Sequence, residues 1–432
     1  MLLKDLDGKS VCVLGYGREG KAMVKALEEY APTCEITIAD KNPDITVDER
    51  HRKQAGEAWL SNLGTFDVLI KSPGIPPSKE LSKHRAKITN STDIFLEEAA
   101  SRSATVIGVT GSKGKSTTAS LIHAILKAAG KSSFLVGNIG EPAIAHLQDI
   151  IPNTFFIQEL SSYQLMDCSH SPSIAVITSF FPEHLDYHGS LDAYKEAKSH
   201  IVKFQSEQGF VVYDATSQGA QEIAERSPGR RIAAHAEDVP LSAAGMLLKG
   251  DHNRRNAAIA FLTTSLLGVP KHISILVIEQ FRGLPHRLES LGIRNGIEWV
   301  DDAISTTPES TIAALDALGD RVATIILGGQ DRGNDFSDLG KRIAESKIRT
   351  VILFPGSGPR IHEAIEKWNA HVECLEASTM LEAVTLANEQ TNKQANAIVV
   401  LSTASPSYGM FTNFEEKGDA FRRCIETSHV AS

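Results

Sequence analysis

Short apolar runs alternate along this chain with longer segments in which apolar residues recur every three or four positions. Near the start, "KSVCVLGYG" predicts a strand, "REGKAMVKALEEY" an amphipathic helix and "CEITIAD" a second strand. The alternation continues through residues 105–214 and returns after residue 320, where "RVATIILGG", "RTVILFPG" and "AIVVLSTA" predict strands. Such alternation is typical of parallel sheets covered by helices on both faces, so the predicted fold class is α/β.

The length favours three domains. A chain of 432 residues is too long for one ordinary hydrophobic core, and domains of about 150 residues are common. "STDIFLEEAASRSA" predicts a helix that leads into the strand "ATVIGVTG", and the first boundary is placed there. The predicted domains are residues 1–96, 97–289 and 290–432, joined by short linkers.

Composition and charge narrow the function classes. The 42% hydrophobic and 22% charged residues are typical of a globular protein, and the formal net charge of −9 argues against general nucleic-acid binding. No run approaches the roughly 20 apolar residues of a membrane helix, and no signal segment opens the chain, so we expect a cytoplasmic protein without membrane insertion. The five cysteines form no CxxC pair, which disfavours disulfides and zinc, and Cys12 is expected in the core.

A glycine-bearing turn with a lysine and hydroxyls lies between a predicted strand and a predicted helix. In "GSKGKST", backbone N–H groups would point at phosphate oxygens, and the helix N-terminus adds partial positive charge. Lys115 would reach the β- and γ-phosphates of a triphosphate, and Ser116 or Thr117 would offer a hydroxyl to Mg²⁺. Val109 stands where the full eight-residue signature has glycine, so this is the shorter GxxGKS pattern. The alternative is a simple lysine-containing turn.

A second glycine pattern lies near the start of the chain. Gly15, Gly17 and Gly20 form GxGxxG after a strand and before a helix, and Asp40 ends the next strand. This pattern is typical of an NAD site, in which the acid binds a ribose hydroxyl. It is also met by a tight turn that needs small residues for helix–strand packing, or by a site for another nucleotide diphosphate. A lone GxGxxG does not separate these three interpretations.

Ionisable residues follow two strands of the middle segment. Glu159 ends an apolar strand, and ligands of open α/β sheets bind at the carboxyl ends of strands, so Glu159 is a candidate Mg²⁺ ligand. The segment "PEHLDYHGSLDAYKEAK" contains His184 and Lys198. Spacing singles out neither residue, because an isolated histidine is more often a satisfied polar residue and a helical lysine is more often solvated.

A set of motifs resembles one family. The segments "GSKGKST", "GNIGEP", "ELSSYQL", "PEHLDYHGSLDAYKEAK", "GDHNRRNAAIA", "GLPHRLE", "GGQDRGNDF" and "FTNFEEKGDAF" occur in the order of the Mur ligases, over nearly the whole chain. "GNIGEP", "ELSSYQL" and "FTNFEEKGDAF" are typical of its glutamate-adding members. The resemblance implies an ATP-dependent ligase of peptidoglycan precursor synthesis. It would join glutamate, by family default D-glutamate, to UDP-N-acetylmuramoyl-L-alanine through an acyl phosphate.

The resemblance also implies roles for the three predicted domains and their residues. The first would be a Rossmann-like domain for the UDP end of the substrate, the second a P-loop ATPase domain, and the third a Rossmann-like domain that receives the amino acid. The implied UDP-substrate residues are Gly15, Tyr16, Gly17, Arg18, Asp40, Lys41, Ser72, Asn138, Ser161 and His184. The implied ATP-binding residues are Gly111, Ser112, Lys113, Gly114, Lys115, Ser116, Thr117, Asn253, Asn256, Arg287 and Asp302.

The chemistry implied by the resemblance rests on a metal and a modified lysine. Lys198 would carry a CO₂-derived carbamate and hold Mg²⁺ together with Ser116, Glu159 and His184. A carbamate forms on the neutral amine, so a site that lowers the lysine pKa would help. Lys115, His184 and Lys198 are the implied catalytic residues. Glutamate would contact Thr306, Arg332, Ser407 and Phe414, and the enzyme is expected to be a monomer.

Several positions depart from the pattern of the glutamate-adding Mur ligases. Ile304 stands where a lysine is expected, Asp301 and Thr307 stand where asparagines are expected, and Ser179 also replaces an asparagine. Arg332 stands where the family tends to place a lysine for a glutamate carboxylate, and arginine can bind a carboxylate through two donors. "ISTTPES" is similar to a branch that adds L-glutamate, so L-glutamate is the rival of D-glutamate.

Three alternatives come from outside this reading. A folylpolyglutamate-type ligase shares the ATPase core but lacks a UDP-binding domain, whereas here about a hundred residues precede the phosphate loop. A regulatory nucleotide-binding NTPase without ligase activity would tolerate the changes at Ile304 and Ser179. An NAD-linked oxidoreductase would use "GYGREG" but leave the phosphate loop unexplained.

Overall fold

The computed structural model describes residues 1–241, 245–248, 250–368, 372–391 and 396–427. By their internal contacts these residues form two units, Met1–Phe281 and Arg282–Ser432. The first unit contains two sheets and the second unit contains one. The predicted boundaries near residues 96 and 290 stay a prediction.

The first sheet is wholly parallel. Its strands lie in the order third, second, first, fourth, fifth and are named β1 (Ser10–Leu14), β2 (Glu35–Asp40), β3 (Arg52–Ala55), β4 (Val68–Lys71) and β5 (Ile88–Thr89). Its helices are α1 (Arg18–Tyr30), α2 (Lys79–Ser82) and α3 (Ser91–Ser101). The strand order reverses between β1 and β4, which opens a crevice at their carboxyl ends. The "GYGREG" segment follows β1 at that crevice.

The second sheet is also wholly parallel and carries the phosphate loop. Its strands are β6 (Thr105–Thr110), β7 (Ser133–Gly137), β8 (Phe155–Glu159), β9 (Ile174–Ile177), β10 (Phe210–Asp214) and β11 (Arg230–Ala234). Their order is β11-β10-β9-β6-β8-β7, so β6 lies between β9 and β8. Because carboxyl ends of neighbouring parallel strands share one edge, the residues after β6, β8 and β9 are brought together.

Seven helices of the described residues accompany the second sheet. They are α4 (Lys115–Ala128), α5 (Ser162–Leu165), α6 (Leu185–His188), α7 (Leu191–Lys203), α8 (Gln218–Ala224), α9 (Asp251–Leu266) and α10 (Lys271–Gln280). The apolar side of α4, with Leu121 and Ile125, packs with Ile107 and Val109 of β6 and with Ile259 of α9. Burial of this stripe fixes where α4 begins relative to the end of β6.

The second unit contains a mixed sheet of six strands. They are β12 (Glu289–Arg294), β13 (Ile297–Asp301), β14 (Val322–Gly329), β15 (Thr350–Gly356), β16 (Glu373–Glu376) and β17 (Ala397–Leu401), in the order β12-β13-β17-β14-β15-β16. Among the strand pairs in the described part of this sheet, only β12–β13 is antiparallel. The helices are α11 (Pro308–Leu318), α12 (Ser337–Ala344), α13 (Gly358–Glu366), α14 (Met380–Thr391) and α15 (Phe414–Thr427).

The two sheets of the first unit are tied together by polar contacts that span the chain. The buried ammonium of Lys71 at the end of β4 lies 2.9 Å from the carboxylate of Asp167, and it also donates to the carbonyl of Ile75. The Tyr187 hydroxyl of α6 lies within hydrogen-bond distance of the carbonyls of Ile75 and Pro73. These contacts fix the N-terminal sheet against the phosphate-loop sheet.

The cysteines lie as free thiols in the described structure, and Cys12 is in the core, as expected. All five cysteines are free, and Cys12 is fully buried in β1. Burial raises the pKa of the Cys12 thiol to about 12, which keeps it an uncharged core residue. None of the helices in the described ranges combines the length and the apolar character that a bilayer crossing needs.

Candidate active site

The phosphate loop joins β6 to α4 in a shape that needs glycine at two positions. Gly111 has φ of 153°, and a Cβ there would lie 2.1 Å from Oγ1 of Thr178. Gly114 has φ of 85°, and a Cβ there would lie 2.5 Å from the side-chain oxygen of Asn256. L side chains rarely adopt these backbone angles, so both glycines are required for the turn as well as for the space.

Two lysines of the loop have different surroundings. Lys115 opens α4, and its ammonium donates to the carbonyls of Gly111 and Ser112, each at 3.0 Å. Lys113 is exposed and forms an ion pair with Glu183 at 2.9 Å. Ser116 is buried in the first turn of α4, and Thr117 beside it is half-buried. The helix start therefore presents one ammonium and two hydroxyls at the edge where β6 ends.

Ser179 holds the loop from the end of β9. Its hydroxyl accepts the Lys113 backbone N–H at 2.9 Å and lies 2.9 Å from the Lys113 carbonyl, to which it can donate. Its carbonyl accepts the Ser112 backbone N–H at 3.0 Å. Two loop N–H groups that the sequence assigns to phosphate are thus bonded to Ser179 in this structure.

Asn253 and Asn256 lie on the first turns of α9. The Asn256 amide donates to the Asn253 side-chain oxygen at 3.3 Å, and Asn256 packs directly against Gly114. The structure therefore brings Asn253 and Asn256, two of the predicted ATP-binding residues, to the phosphate loop, from which they are separated by about 140 residues along the chain.

Glu159, the last residue of β8, is 2% exposed. One of its carboxylate oxygens accepts from the Asn138 amide at 2.8 Å, and the Asn138 backbone N–H donates to the Glu159 carbonyl at 3.0 Å. The other carboxylate oxygen is buried and has no hydrogen-bond partner among the described residues. A buried carboxylate oxygen left without a donor is a suitable ligand for a hard divalent cation.

Lys198 is buried, which is unusual for a lysine. It is 2% exposed on α7, its ammonium donates to the Gly111 carbonyl at 3.0 Å, and it lies 4.8 Å from the centre of the Tyr194 ring. Burial, with the nearby charge of Lys115, lowers the pKa of Lys198 to about 7, although Glu183 and Glu159 act in the opposite direction. A substantial fraction of this amine is therefore neutral near pH 7.

His184 lies in a strained turn before α6. Its φ is 55°, and its ring lies 5.1 Å from Tyr163 and 6.1 Å from Tyr194, centre to centre. Tyr194 also packs with Lys198, so His184 and Lys198 share one aromatic neighbour. Lys115, the third predicted catalytic residue, lies close to Lys198, because the ammonium groups of both lysines donate to the Gly111 carbonyl. Its positive charge contributes to the lowered pKa of Lys198.

The predicted UDP-substrate residues of the first sheet mostly support one another. The Asp40 carboxylate accepts the Tyr16 backbone N–H at 2.6 Å, and the Ser72 hydroxyl donates to the Gly15 carbonyl at 3.0 Å. A Cβ at Gly20 would lie 1.9 Å from that same carbonyl, which identifies close helix–strand packing as one reason for the motif. Gly17 has open space around it, and Lys41 is exposed.

Other predicted UDP-substrate residues lie at the second sheet or point to it. The Arg18 guanidinium donates to the carbonyls of Gly137 and Gly140 at 3.0 and 2.9 Å. Ser161 caps α5, where its hydroxyl and Gln164 form a reciprocal pair. Arg18 thereby brings the glycine loop after β1 to the "GNIGEP" loop that holds Asn138.

In the second unit, Arg332 and Ser407, two of the predicted glutamate residues, lie on segments that contact each other. The Arg332 guanidinium lies 5.5 Å from the centre of the Tyr408 ring, and the Gln330 backbone N–H donates to the Pro406 carbonyl at 2.9 Å. The Ser407 hydroxyl is buried and has no hydrogen-bond partner among the described residues. The Arg332 guanidinium and the Ser407 hydroxyl are both groups that can donate to a carboxylate.

Thr306 and Phe414 lie on neighbouring segments of the same unit. Thr306 is half-buried after Ser305, whose carbonyl accepts the Ala404 N–H at 3.1 Å. Phe414 opens α15, and its ring lies edge-on to His286 at 6.2 Å between centres. Arg332 packs on Tyr408, the residue after Ser407, whereas the Phe414 ring packs on His286.

Arg287 and Asp302 are linked by their backbone and charges. Asp302 is buried, accepts the Leu288 backbone N–H at 3.2 Å and accepts the Ser402 hydroxyl at 2.7 Å. Burial raises the pKa of Asp302 to about 6, although these hydrogen bonds and Arg287 act against the rise.

A cavity of about 470 Å³ in this unit includes Arg282, Arg294 and Arg422 in its lining, and no predicted site residue lines it.

Comparison with known proteins gives a family. A model of the Mur ligase middle domain matches residues 109–238, and a model of the Mur ligase glutamate ligase domain matches residues 286–404. A UDP-N-acetylmuramoyl-L-alanine–L-glutamate ligase of Salinispora tropica is 35% identical, over 98% of this chain and 99% of the relative. The chain belongs to the Mur ligase family.

Two further comparisons concern the branch and the fold of this Mur ligase. A UDP-N-acetylmuramoylalanine–D-glutamate ligase of Symbiobacterium thermophilum is 33% identical, over 96% of this chain and 97% of the relative. A MurF ligase from Thermotoga maritima, solved in complex with ADP, aligns with 99% of this chain and 97% of its own at 16% identity, with a TM-score of 0.53. The likeness at that identity concerns the fold, and the predicted α/β class is confirmed.

Sequence reasoning missed several residues that shape the site of this Mur ligase. It did not assign Tyr163 and Tyr194, whose rings lie near His184, or Tyr187, whose ring packs on Tyr163, and it noted Ser179 only as a departure. Their positions inside "ELSSYQL" and "EHLDYHGSLDAYKEAK" were the available signal. It also missed Lys417, a buried lysine of "FTNFEEKGDAF".

Proposed function

We propose that this Mur ligase is an ATP-dependent, ADP-forming amide ligase that joins glutamate to UDP-N-acetylmuramoyl-L-alanine in peptidoglycan precursor synthesis. The observation that carries the proposal is the meeting of the phosphate loop, the open carboxylate of Glu159 and the buried amine of Lys198. Full-length relatives named for this reaction support it. The cytoplasmic location and the monomeric state stay predictions.

The proposed chemistry solves a leaving-group problem. A carboxylate is a poor acyl donor, because its leaving group would be oxide. Transfer of the γ-phosphate of ATP to the L-alanine carboxylate gives an acyl phosphate and ADP. The glutamate amine then attacks the acyl carbon, a C–N bond forms, the C–O bond to phosphate breaks, and the amine proton leaves. Lys115 stabilises negative charge on the phosphates during the transfer, which depends mainly on positioning and electrostatics.

The donor set of the first unit fits Mg²⁺. Glu159 offers a buried oxygen that nothing in the described structure satisfies, and Ser116 offers a hydroxyl at the start of α4. These two residues, with His184 and a modified Lys198, would hold the ion. When bound, Mg²⁺ would neutralise charge on the phosphate oxygens.

Lys198 has the properties that a carbamate needs. Its amine is substantially neutral near pH 7, so its nitrogen can attack CO₂, an N–C bond forms, and a proton is released. The product is an anion in place of a cation, beside the carboxylate of Glu159. That change of sign would turn the amine from a competitor of the metal into one of its ligands.

Removal of the Lys198 amine tests this role. Lys198→Ala is expected to lower kcat by at least about 100-fold, and a short carboxylate such as formate or acetate should restore part of it. Ligation rate is measured with and without added carboxylate, and Lys203→Ala on the exposed side of α7 is the control. A Lys198→Ala enzyme as active as the parent would remove the carbamate from the proposal.

We propose L-glutamate as the acceptor, with D-glutamate as the second candidate. The relative from Salinispora tropica is named for L-glutamate, and the segment around Ile304 departs from the pattern of the D-glutamate enzymes. The relative from Symbiobacterium thermophilum, named for D-glutamate, supports the second candidate. Arg332 and Ser407 are the proposed contacts for a glutamate carboxylate, and Thr306 and Phe414 complete the proposed pocket.

One assay tests the whole proposal. Phosphate release from ATP and formation of the new amide are measured with UDP-N-acetylmuramoyl-L-alanine and with each glutamate enantiomer supplied separately. Release that needs both substrates, with one enantiomer preferred, is the expected result. ATP hydrolysis that is indifferent to both substrates would instead identify a nucleotide-binding NTPase, and no amide with either enantiomer would overturn the ligase proposal.

A further inference from the structure

The backbone is strained on both sides of Arg287. His286 has φ of 61° and Leu288 has φ of 45°, and neither residue is a glycine. Side-chain-bearing residues rarely adopt such angles, and they persist only where the surrounding structure imposes them. Strained residues of this kind cluster at active sites, ligand clamps and switch regions. Here the side chain between them is the exposed guanidinium of Arg287.

Two consecutive buried carboxylates hold this strained turn, one on each side. The ring of His286 lies 2.8 Å from a carboxylate oxygen of Asp301, through Nδ1. The Leu288 backbone N–H donates to Asp302 at 3.2 Å. A third carboxylate also holds the turn, because the His286 backbone N–H donates to the side chain of Glu289 at 3.0 Å. Asp301 and Asp302 therefore act together on the two neighbours of Arg287.

Helix α15 supplies the space that the His286–Asp301 contact needs. Gly418 lies against this pair: a Cβ there would be 2.1 Å from Nδ1 of His286 and 2.7 Å from Oδ2 of Asp301. Real Cβ atoms do not approach heavy atoms that closely, so any larger residue would displace the ring or the carboxylate. Gly418 has no positive φ, so its role is space rather than backbone freedom.

The preceding residue of α15 supplies charge. Lys417 is 1% exposed, and its ammonium donates to the Thr403 hydroxyl at 2.5 Å. Asp301 and Asp302 are 0% and 2% exposed, and the ammonium is attracted by both carboxylates. Two buried carboxylates side by side repel each other unless a cation compensates them. Lys417 is the buried cation that does so here, together with the His286 ring.

We infer that Lys417 and Gly418 are positioning residues for Arg287: the lysine supplies a buried cation to Asp301 and Asp302, which hold the strained turn, and the glycine admits the His286 ring to Asp301. The inference rests on the proposed function and on the role in ATP binding that the sequence resemblance implies for Arg287. Lys417 and Gly418 act on Arg287 through Asp301, His286 and the strained turn. Loss of either residue should therefore alter the handling of ATP more than that of the other two substrates.

Three variants test the inference. Gly418→Ala should raise the KM for ATP by about tenfold or more at 20 °C, while the KM values for glutamate and the UDP substrate stay within about twofold. Lys417→Met should do the same, and Lys417→Arg, which keeps the cation, should restore most of the ATP affinity. Arg423→Ala, an exposed position on the same helix, is the matched control. ATP binding is also measured by calorimetry without the other substrates.

The outcomes separate this inference from the proposed function. If the parent enzyme forms no amide, the proposed function fails, while calorimetry still compares ATP affinity between parent and variants. If the parent ligates and folded Gly418→Ala and Lys417→Met variants bind and use ATP as the parent does, the inference is overturned. If Gly418→Ala does not fold, as circular dichroism would show, the comparison of Lys417→Met with Lys417→Arg decides. Equal losses in those two variants would indicate a packing role only and overturn the charge argument.

Discussion

The burial of Lys198 destabilises its charged form and favours the neutral form that reacts with CO₂. An ammonium that is 2% exposed is expensive to desolvate, and the cation of Lys115 nearby adds to that cost. The same two influences leave the amine substantially neutral near pH 7, which is the form that reacts with CO₂. The residue destabilises the fold in its charged form and becomes useful in its neutral form.

The stability of the Lys198→Met variant should depend on pH in a defined direction. The folded pKa of about 7 lies below the unfolded value of about 10.5, so the folded state binds fewer protons between these pH values. The destabilisation is therefore full below pH 7 and fades as the pH rises toward 10.5. Lys198→Met should raise the melting temperature clearly at pH 6.5 and much less at pH 9.5. The measurement is thermal unfolding in CO₂-free buffer.

The control for that experiment is Lys203→Met, a lysine on the exposed side of the same helix. Its effect on the melting temperature should not follow the same pH trend. A gain for Lys198→Met that is equal at both pH values would contradict a lowered lysine pKa.

A second prediction concerns Glu159 and the Mg²⁺ requirement of the enzyme. Glu159→Gln keeps an oxygen for the Asn138 amide and removes the negative charge, so the fold should be retained. Because the site would lose an anionic ligand, the Mg²⁺ concentration for half-maximal ATP use should rise about tenfold or more. The measurement is ATP-dependent ligation titrated with Mg²⁺, and Glu225→Gln at an exposed position is the control. An unchanged Mg²⁺ midpoint would exclude Glu159 as a ligand.

At the scale of elements, the turn after β1 is determined by packing before any ligand is considered. Gly20 on α1 lies so close to the Gly15 carbonyl that no Cβ fits, whereas Gly17 has open space. Glycine is therefore favoured at these two positions of one motif for different physical reasons. Gly20 serves helix–strand contact, and Gly17 leaves room at the carboxyl end of the strand.

Alanine substitutions at these two glycines should separate the two reasons. Gly20→Ala should destabilise the protein by about 1–3 kcal/mol, because overpacking forces the helix away from the strand. Gly17→Ala should change the free energy of unfolding by less than about 1 kcal/mol, since it meets no neighbour and has no positive φ. Urea unfolding of both variants provides the measurement. Equal destabilisation by the two substitutions would argue against the packing explanation.

The elements were the part of the structure most accessible from sequence. The strands at Thr105–Thr110 and Phe155–Glu159 follow from short apolar runs, and the phosphate loop follows from its glycines, lysine and hydroxyls between strand and helix. The burial of Lys198 was not accessible, because "LDAYKEAKSHIVK" reads as an ordinary amphipathic helix with solvated lysines. Only the resemblance to Mur ligases drew attention to that position.

The contacts around Arg287 were not accessible from the pattern for a different reason. His286, Asp301 and Lys417 are separated by up to 131 positions, and their pairing depends on where α15 packs against the sheet. Periodicity predicts that a helix has a buried face, but it does not predict which carboxylates that face will meet. The strained angles of His286 and Leu288 likewise have no signature in residue type.

At the scale of the whole molecule, one buried ion pair helps to join the two sheets of the first unit. Lys71 is 4% exposed, and Asp167→Asn would leave its ammonium without a counter-charge. Loss of one partner of a buried pair costs about 3–5 kcal/mol, so a clear drop in the urea midpoint is expected. Lys71→Met combined with Asp167→Asn should recover part of the loss, because no lone charge then remains. A double variant as unstable as Asp167→Asn would show that the charge is not the cause.

Ser179 has a consequence for the speed and selectivity of nucleotide capture. A loop whose amides are already engaged by a neighbouring hydroxyl and carbonyl keeps its curvature by itself, so few torsions would freeze when an anion docks. Phosphate oxygens would have to displace Ser179 as the acceptor of the Lys113 and Ser112 N–H groups, because these donors are already hydrogen-bonded. Weak anions such as free phosphate would gain too little from the exchange, and a triphosphate that grips several groups at once would be favoured.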